Sequence, residues 1–292
     1  MGAGLRPLGR SPLEVSPLAL GSWRAFERIG KERATEIVRA AAEGGINFFD
    51  DARYNDETGN APIPTGYSEV LFGEVMRAAG LPRADTVIAN KLWWEHWPRE
   101  DAAAELDGSL GRLGFDHVDL IYAVTLPDDL EVERAVEEVA GLLASGKARA
   151  WGIANWTAEQ IVEGTAAAAR LGIEPPAAAQ LSYSLVDRAT VEDPAMERAL
   201  TEAGTGLVPS NVMAGGTLAR GDGPEGEQMT PRTNLPVREG GESSVRPLAT
   251  SIEATPATEA IAFALAHPLT VSVLFGVSSL AQLEENLAVA AS

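Results

Sequence analysis

The segment GINFFDDARYND, residues 45–56, places a group of ionisable side chains directly after an apolar, strand-like run. These side chains are Asp50, Asp51, Arg53, Tyr54 and Asp56. Carboxylates, a phenol and a neighbouring cation are the groups that general acid–base catalysis uses. The segment is therefore either an ordinary solvated strand end or an active site on the rim of a sheet.

The elements that must position these groups are eight short apolar runs, each typical of a strand in a parallel sheet that is covered on both faces. The runs are SPLALGSW (16–23), INFFD (46–50), TVIANK (86–91), VDLIYAV (118–124), ARAWGIAN (148–155), PAAAQLSY (176–183), GLVPS (206–210) and VSVLFGV (271–277). Helix-like segments lie between them, for example KERATEIVRAAAEGG (31–45) and EVERAVEEVAGLLASGK (131–147). Eight strand–helix units predict an α/β fold, a (β/α)8 TIM barrel in a single domain over 1–292.

A doubly wound open sheet is the alternative, but the glycine-rich first turn of that fold is missing. The only glycine-rich candidate, residues 108–114, has a helical pattern and precedes a strand, so we expect a helix end there. In a barrel the chemistry lies at the carboxyl ends of the strands. Asp50 ends the second predicted strand and Lys91 ends the third, so we expect the two side chains to meet.

The composition excludes several classes of function. The chain has 292 residues, a formal charge of −19 and 23 scattered basic residues, which argues against a nucleic-acid partner. There is no cysteine, so a thiolate nucleophile or thiolate metal site is impossible, and we expect no metal. No apolar run reaches membrane-spanning length and the first residues lack a signal-peptide core, so we expect a cytoplasmic protein without a membrane partner.

Eight motifs in sequence order resemble the landmarks of the aldo-keto reductase family, from LGRSPLEVSPLALGSW at the start to the last helix. They are GINFFDDARY, GYSEVLFGEVM, VIANK, DLIYAVTLPDD, GKARAWGIANW, AAQLSYSLVDR, PSNVMAGGTLARG and FGVSSLAQLEEN. The resemblance implies hydride transfer from NADPH to a carbonyl group, carried out by an Asp, a Tyr, a Lys and a His. It identifies these as Asp50, Tyr54 and Lys91, although the gap from Asp50 to Tyr54 is four residues where the family usually has five. Asp51 is an alternative to Asp50.

The chemistry explains the choice of residues. A tyrosine titrates near about 10, too high for efficient proton donation at neutral pH. A lysine ammonium beside it would lower that pKa, and a carboxylate paired with the lysine would fix its position.

The fourth member of the family's set is missing. At the expected place, in DLIYAVTLPDD, the chain has Val124 or Thr125 instead of a histidine. His117 is expected in the turn before the fourth strand and His267 at a helix end. His96 follows the third strand and could reach the pocket, and Trp23 and Trp93 directly follow the ends of the first and third strands. We therefore predict that His96, Trp23, Trp93 and Thr125 contact the substrate.

The resemblance also implies a set of residues that bind NADP(H), through the nicotinamide, the pyrophosphate or the adenosine. The set is Gly21, Ser22, Asn155, Gln180, Ser210, Asn211, Met213, Gly216, Gly276, Ser278, Gln282, Glu285 and Asn286. Asn155 and Gln180 would hydrogen-bond the carboxamide, while Ser210 stands where the family often has a stacking Tyr. No Lys or Arg lies in the tail motif, so Arg220, Arg232 or Arg238 would have to supply charge for a 2′-phosphate.

The expected function is therefore reduction of a small-molecule aldehyde, ketone or keto-sugar by NADPH. Two alternatives remain open. The missing histidine could suit reduction of a conjugated C=C bond or a non-redox reaction, or the chain could be a binding or regulatory barrel with little turnover. The long stretch 221–245, rich in Gly, Pro, Glu and Arg, and the insertion at 56–66 would shape the pocket, the former as a lid or a disordered loop.

Overall fold

Eight parallel strands form the centre of the protein, in a computed structural model that describes residues 4–216, 218 and 255–290. A short antiparallel hairpin, β1 (Arg6–Pro7) and β2 (Glu14–Val15), precedes them. The barrel strands are β3 (Leu18–Gly21), β4 (Phe48–Asp50), β5 (Val87–Leu92), β6 (Val118–Ala123), β7 (Ala148–Ala154), β8 (Ala178–Ser182), β9 (Gly206–Ser210) and β10 (Val273–Phe275). Seven of the eight predicted runs contain one of these strands, and the run 86–91 ends one residue before the end of β5.

A helix follows every strand of the barrel. The helices are α1 (Phe26–Glu43), α2 (Tyr67–Ala79), α3 (Ala102–Leu113), α4 (Val132–Ala144), α5 (Ala158–Leu171), α6 (Pro194–Ala203), α7 (Pro256–Leu265) and α8 (Leu280–Ala290). The strands pair in the order β10-β3-β4-β5-β6-β7-β8-β9, and a parallel bridge from Leu207 to Thr270 joins the two edges. The predicted (β/α)8 barrel is therefore confirmed, and the open doubly wound sheet was the wrong alternative.

The helix signals in the sequence behave as their spacing indicates. Helix α1 buries one apolar face, formed by Ala34, Ile37, Val38 and Ala41, and ends before Gly44. Helix α3 ends at Gly114, whose φ of +69° is a left-handed conformation that glycine adopts without strain. The glycine-rich stretch at 108–114 is thus a helix end, as expected.

Side-chain alternation along the strands decides which residues face the barrel interior. Phe48 of β4 belongs to the cluster inside the barrel, whereas Phe49 packs between the sheet and the helices. By the same alternation β5 turns Ala89 inward and Ile88 outward. Asp50 and Lys91, each two residues after an inward side chain, consequently face the interior at its carboxyl end.

Within the ranges described above, no helix is long and apolar enough to cross a membrane. The predicted loop at 221–245, together with Arg220, Arg232 and Arg238, lies outside the described residues.

Candidate active site

Lys91 is the centre of a buried polar group at the carboxyl end of the barrel. Its Nζ lies 2.5 Å from Oδ1 of Asp50 and 3.4 Å from the hydroxyl of Tyr54. The three residues are only 3–6% exposed. The carboxylate pairs with the ammonium on one side, and the phenol stands on the other, so the structure brings together the three residues that the sequence singled out.

The electrostatics of the group keep Lys91 charged. Burial by itself would lower the pKa of an ammonium, but Asp50 and Tyr54 outweigh it and raise the pKa of Lys91 to about 12. A cation is therefore held beside the Tyr54 hydroxyl throughout the physiological pH range. A positive charge at this distance stabilises the negative charge that develops on a phenol when it gives up its proton.

Two tryptophan side chains pack against the ring of Tyr54. Trp23, which follows β3, stacks on it at a centroid distance of 5.8 Å and an interplanar angle of 30°. Trp93, which follows β5, meets it edge-on at 5.9 Å and 67°. The predicted substrate residues Trp23 and Trp93 thus both lie beside the phenol. Trp94 is buried and packs edge-on against Trp97, so these two support the loop.

A buried carboxylate that the sequence analysis overlooked fixes the loop carrying Trp93. Glu105 of α3 accepts hydrogen bonds from the backbone N–H groups of Trp93, at 2.8 Å, and Trp94, at 3.1 Å. Its Oε1 also lies 3.6 Å from Nη2 of Arg53, the residue before Tyr54. Glu105 therefore ties the loop after β5 to the loop after β4. The signal available in the sequence was a charged residue on the apolar face of α3, next to Leu106.

The place of the missing histidine is filled by an apolar side chain. Val124 follows β6, is 6% exposed and belongs to the cluster inside the barrel, whereas Thr125 is exposed. His96 lies half-buried in the turn after β5, and its carbonyl accepts the N–H groups of Arg99 and Glu100. A contact of His96 or Thr125 with substrate stays a prediction. His117 and His267 lie where the sequence indicated, before β6 and just after α7.

Gln180 extends the polar group into β8. Its Nε2 donates to Oδ2 of Asp50 at 3.0 Å, so both carboxylate oxygens of Asp50 are hydrogen-bonded. Tyr122 of β6, which the sequence analysis did not single out, lies in the same interior with its ring centroid 5.8 Å from Nζ of Lys91. Its inward place on β6, two residues before Val124, was the signal that could have identified it.

The residues predicted to bind a dinucleotide lie along the same rim, because the carboxyl ends of parallel strands share one edge. Gly21 ends β3 and Ser22 follows it, and both are buried, while Asn155 after β7 is exposed. Ser210 ends β9 half-buried. Asn211, whose φ is +54°, follows it and accepts the N–H of Gly215 at 2.9 Å.

The remaining predicted residues of this set continue along the chain. Met213 and Gly216 lie in the turn after β9, and the carbonyl of Met213 accepts the N–H of Leu218. Exposed Gly276 follows β10, and Oε1 of Gln282 accepts both the N–H and the hydroxyl of exposed Ser278. Glu285 is exposed on α8, whereas the neighbouring Asn286 is only 3% exposed.

The insertion at 56–66 is fixed over the Trp23 side of the rim. An antiparallel bridge joins Asn55 to Thr65, and the N–H of Gly66 donates to the carbonyl of Tyr54. Arg24 pairs with Glu57 at 2.6 Å and lies 4.4 Å from the centroid of the Trp23 ring. The loop that begins after Tyr54 is thus held in contact with the loop after β3.

Comparisons with known proteins agree with this geometry. Residues 17–292 match the Aldo/keto reductase family. The chain is 30% identical to a probable voltage-gated potassium channel subunit beta from Oryza sativa subsp. japonica, and 29% identical to one from Arabidopsis thaliana. Each alignment runs over 300 positions and covers 96% of this chain and 89% of the relative. The chain belongs to the aldo/keto reductase family.

Proposed function

We propose that the protein is an NADPH-dependent oxidoreductase that reduces the carbonyl group of a small molecule, with Tyr54 as the proton donor. The observation that carries the proposal is the position of Lys91, whose Nζ contacts both Asp50 and Tyr54 in a buried site. An ion pair with a purely structural role would not require a phenol hydroxyl beside its ammonium group. A cation held beside a phenol is an arrangement suited to proton donation.

The chain's own residues account for the proton in this reaction. The Tyr54 hydroxyl gives its proton to the carbonyl oxygen as that oxygen becomes negative, and the ammonium of Lys91 stabilises the resulting tyrosinate. Asp50 holds Lys91 in place and also keeps it charged, because a buried ammonium group without a counter-charge would lose its proton. Trp23 and Trp93 cover the phenol with apolar rings, which exclude water and strengthen these interactions.

The hydride would come from the dihydronicotinamide ring of a bound cofactor. The hydrogen-bonding side chains along the rim of the barrel fit such a cofactor. The exposed side chains after β7 and β9 are the amides Asn155 and Asn211, which can bind a carboxamide or a phosphate oxygen. Ser278 and Gln282 lie just before and in the first turn of α8, and the N-terminus of a helix favours an anion. Residues 276–290 contain no Lys or Arg, so the 2′-phosphate would have to be recognised without a cation from this segment.

The proposal is tested by turnover of NADPH with a panel of aldehydes, ketones, keto-sugars and enones, followed by the dihydronicotinamide absorbance. We expect carbonyl reduction in the parent protein, and a loss of about 10²–10⁴-fold in kcat for Tyr54→Phe, the usual contribution of a general acid. NADPH affinity, measured by quenching of tryptophan fluorescence, should change little in this variant because the ring's packing is kept. NADH is included to measure the preference for the 2′-phosphate.

A matched control is Tyr67→Phe, at the first residue of α2, which should retain the turnover of the parent. If Tyr54→Phe and Lys91→Met both reduce carbonyls as fast as the parent, the catalytic assignment is wrong and the barrel has a different chemistry.

A second candidate is a regulatory barrel with little turnover. Two observations favour it: the relatives described above are named as probable potassium channel β subunits, and the side chain of Val124 has no hydrogen-bonding group where the family has a catalytic histidine. NADPH binding without turnover of any carbonyl would support this candidate. Turnover confined to the enones would indicate reduction of a conjugated C=C bond.

A further inference from the structure

A buried tryptophan outside the barrel interior holds the backbone of Val124, the residue at the place of the missing histidine. Trp156, two residues after the end of β7, donates from its indole Nε1 to the carbonyl of Val124 at 3.2 Å. The N–H of Val124 donates to the carbonyl of Leu92, the last residue of β5, at 3.1 Å. The first residue after β6 is therefore hydrogen-bonded on both sides, to β5 and to the segment after β7.

Val124 and the tryptophan that holds it belong to different layers of the protein. Trp156 is 2% exposed and packs in the cluster between the sheet and the helices, whereas Val124 packs in the cluster inside the barrel. The interior cluster also contacts Trp93, whose ring meets that of Tyr54 edge-on. The Val124 side chain is thus part of the apolar wall near the proposed proton donor, and Trp156 supports this wall from behind.

Two local features of the sequence put the indole in this position. Asn155 has a φ of +60°, a left-handed conformation that asparagine tolerates better than most residues, and it turns the chain at the end of β7. On helix α5, Gly164 leaves room for the ring, because a Cβ atom there would lie 2.8 Å from Cζ3 of Trp156. Glycine in the middle of a helix is less stable than alanine, so the helix is weaker than it could be and the indole keeps its place.

We propose that Trp156 is a positioning residue for the carbonyl substrate, because it holds the Val124 backbone and thereby fixes the apolar wall of the pocket near Tyr54. The inference rests on the proposed function, since it requires a carbonyl compound in this pocket. It assigns a role in substrate binding to a side chain that does not line the pocket. A fixed wall keeps the carbonyl group in the orientation that the reaction needs.

The role is confined to the substrate side of the site. The N–H of Asn155 donates to the carbonyl of Gln180 at 3.2 Å, and this bond does not involve the indole. Tyr54 and Lys91 also lie outside the contacts of Trp156 described above. Loss of the indole N–H should therefore change substrate binding, and leave cofactor affinity and proton donation near their parent values.

The experiment is steady-state reduction of benzaldehyde, and of the other carbonyl compounds of the panel that the parent reduces, at saturating NADPH. Trp156→Phe removes the indole N–H and keeps an aromatic ring. We expect its KM to rise about tenfold, the scale of one hydrogen bond to a buried carbonyl, with kcat within about threefold of the parent. The dissociation constant of NADPH, measured by fluorescence, should change less than about twofold.

The matched control is Trp151→Phe. Trp151 is 1% exposed, packs edge-on against Trp156 and also donates from Nε1 to a backbone carbonyl, that of Glu174 at 2.8 Å. Glu174 precedes β8, at the end of the barrel opposite the site. This variant loses the same kind of bond from the same cluster, and its KM should stay at the parent value.

A double-mutant cycle shows whether Trp156 acts through Val124. Val124→Ala shortens the wall and should itself raise KM. Added to this variant, Trp156→Phe should change KM by less than about twofold, because the side chain that it positioned is gone.

Gly164→Ala provides an independent variant, which keeps the indole but displaces its ring. It should raise KM in the same direction as Trp156→Phe, and it serves as the test if Trp156→Phe does not fold.

Four results would overturn the inference. KM could stay at the parent value in Trp156→Phe, or in Gly164→Ala where the former does not fold. Trp151→Phe could raise KM as much as Trp156→Phe, which would indicate a general loosening of the barrel. The effects of Trp156→Phe and Val124→Ala could be independent, or the loss could lie in NADPH affinity instead of KM. If the parent reduces no carbonyl compound, the proposed function itself fails, and this outcome is distinct from the other four.

Discussion

Asp50 and Asp51 are adjacent in the sequence and almost completely buried, yet their surroundings are opposite. Asp50 faces the barrel interior, where Lys91 and Gln180 hydrogen-bond its two oxygens. Asp51 lies against Ser22, whose hydroxyl contacts its Oδ1, and its Oδ2 is buried without a hydrogen bond among the described residues. The two residues therefore allow a comparison between a buried carboxyl group that has a counter-charge and one that has none.

The surroundings of Asp51 explain why it should not be ionised. Burial raises its pKa well above the usual value and the nearby carboxylate of Glu69 raises it further, while Ser22, the N–H of Ala52 and Lys91 lower it only in part. Of the cations nearby, Arg112 is already paired with Glu69 at 2.5 Å and Lys91 with Asp50 at 2.5 Å. A buried carboxyl group without a cation of its own cannot be charged without a large cost. Burial next to another carboxylate thus favours the neutral form of Asp51, whereas Asp50, which is buried to a similar extent, forms an ion pair with Lys91.

The largest effect is expected from breaking the interior pair. Asp50→Asn keeps the size of the side chain but leaves the buried ammonium of Lys91 without its counter-charge. We expect the free energy of unfolding, measured with urea at neutral pH, to fall by about 3–5 kcal/mol. Asp51→Asn, one residue away, should cause no such loss. Equal destabilisation by the two substitutions would contradict the assignment of the ion pair to Asp50.

The interior pair also has a pH signature. The pKa of Lys91 is raised to about 12 in the folded protein, above the value of about 10.4 in an unfolded chain. The folded protein therefore binds more protons, and the stabilisation is fully present below the unfolded value and disappears as the pH rises through about 12. In Asp50→Asn this loss of stability at alkaline pH should be much smaller.

Much of this arrangement follows from the sequence. The eight apolar runs predicted the strands, and strand alternation together with the barrel's geometry places Asp50 and Lys91 at one end of its interior. The choice between Asp50 and Asp51 was harder, because a shift of one residue at a strand end turns a side chain to the other face. The same uncertainty applied to the spacing of Tyr54. In the structure Asp50 and Tyr54 both contact the Nζ of Lys91, and their catalytic roles stay predictions.

The contacts between loops could not be predicted. Nothing in the spacing of Glu105 indicates that its carboxylate reaches two consecutive backbone N–H groups in the loop after β5, because that depends on the loop's conformation. The same is true of the Gln180 amide, whose bond to Asp50 joins residues 130 positions apart. Local sequence patterns report on strands and helices, whereas these bonds depend on how separate loops and strands meet.

Glu105 extends the comparison to a third buried carboxyl group, which is held by N–H groups. Burial raises its pKa, and the N–H groups of Trp93 and Trp94 and the charge of Arg53 oppose this. In Glu105→Gln one backbone N–H would face the amide's own NH₂ group, at a cost of about 1–3 kcal/mol. Because the loop carries Trp93, we expect KM for a carbonyl substrate to rise about tenfold while NADPH affinity stays near that of the parent.

The matched control is Glu95→Gln. Glu95 also contacts Nη2 of Arg53, at 2.9 Å, but its side chain is 54% exposed. Its substitution should leave KM unchanged. If the two variants behave alike, Glu105 does not position the substrate loop.

The smallest effect concerns Asp51, and it tests the other half of the comparison. An acid whose pKa is higher in the folded than in the unfolded protein binds more protons when folded, so the free energy of unfolding falls as the pH rises above about 4. Asp51→Asn removes this titration and keeps a neutral side chain beside Ser22. We therefore expect the variant to become more stable than the parent as the pH rises from mildly acidic to neutral, by on the order of 1–2 kcal/mol. Urea unfolding of both proteins across this range measures the difference.

Glu69 is the neighbouring carboxylate, and its pairing with Arg112 is the same in both proteins, so the difference between the two curves isolates Asp51. A difference that stays constant with pH would mean that Asp51 is charged in the folded protein, and the contrast between the two aspartates would then lie in their partners and not in their ionisation.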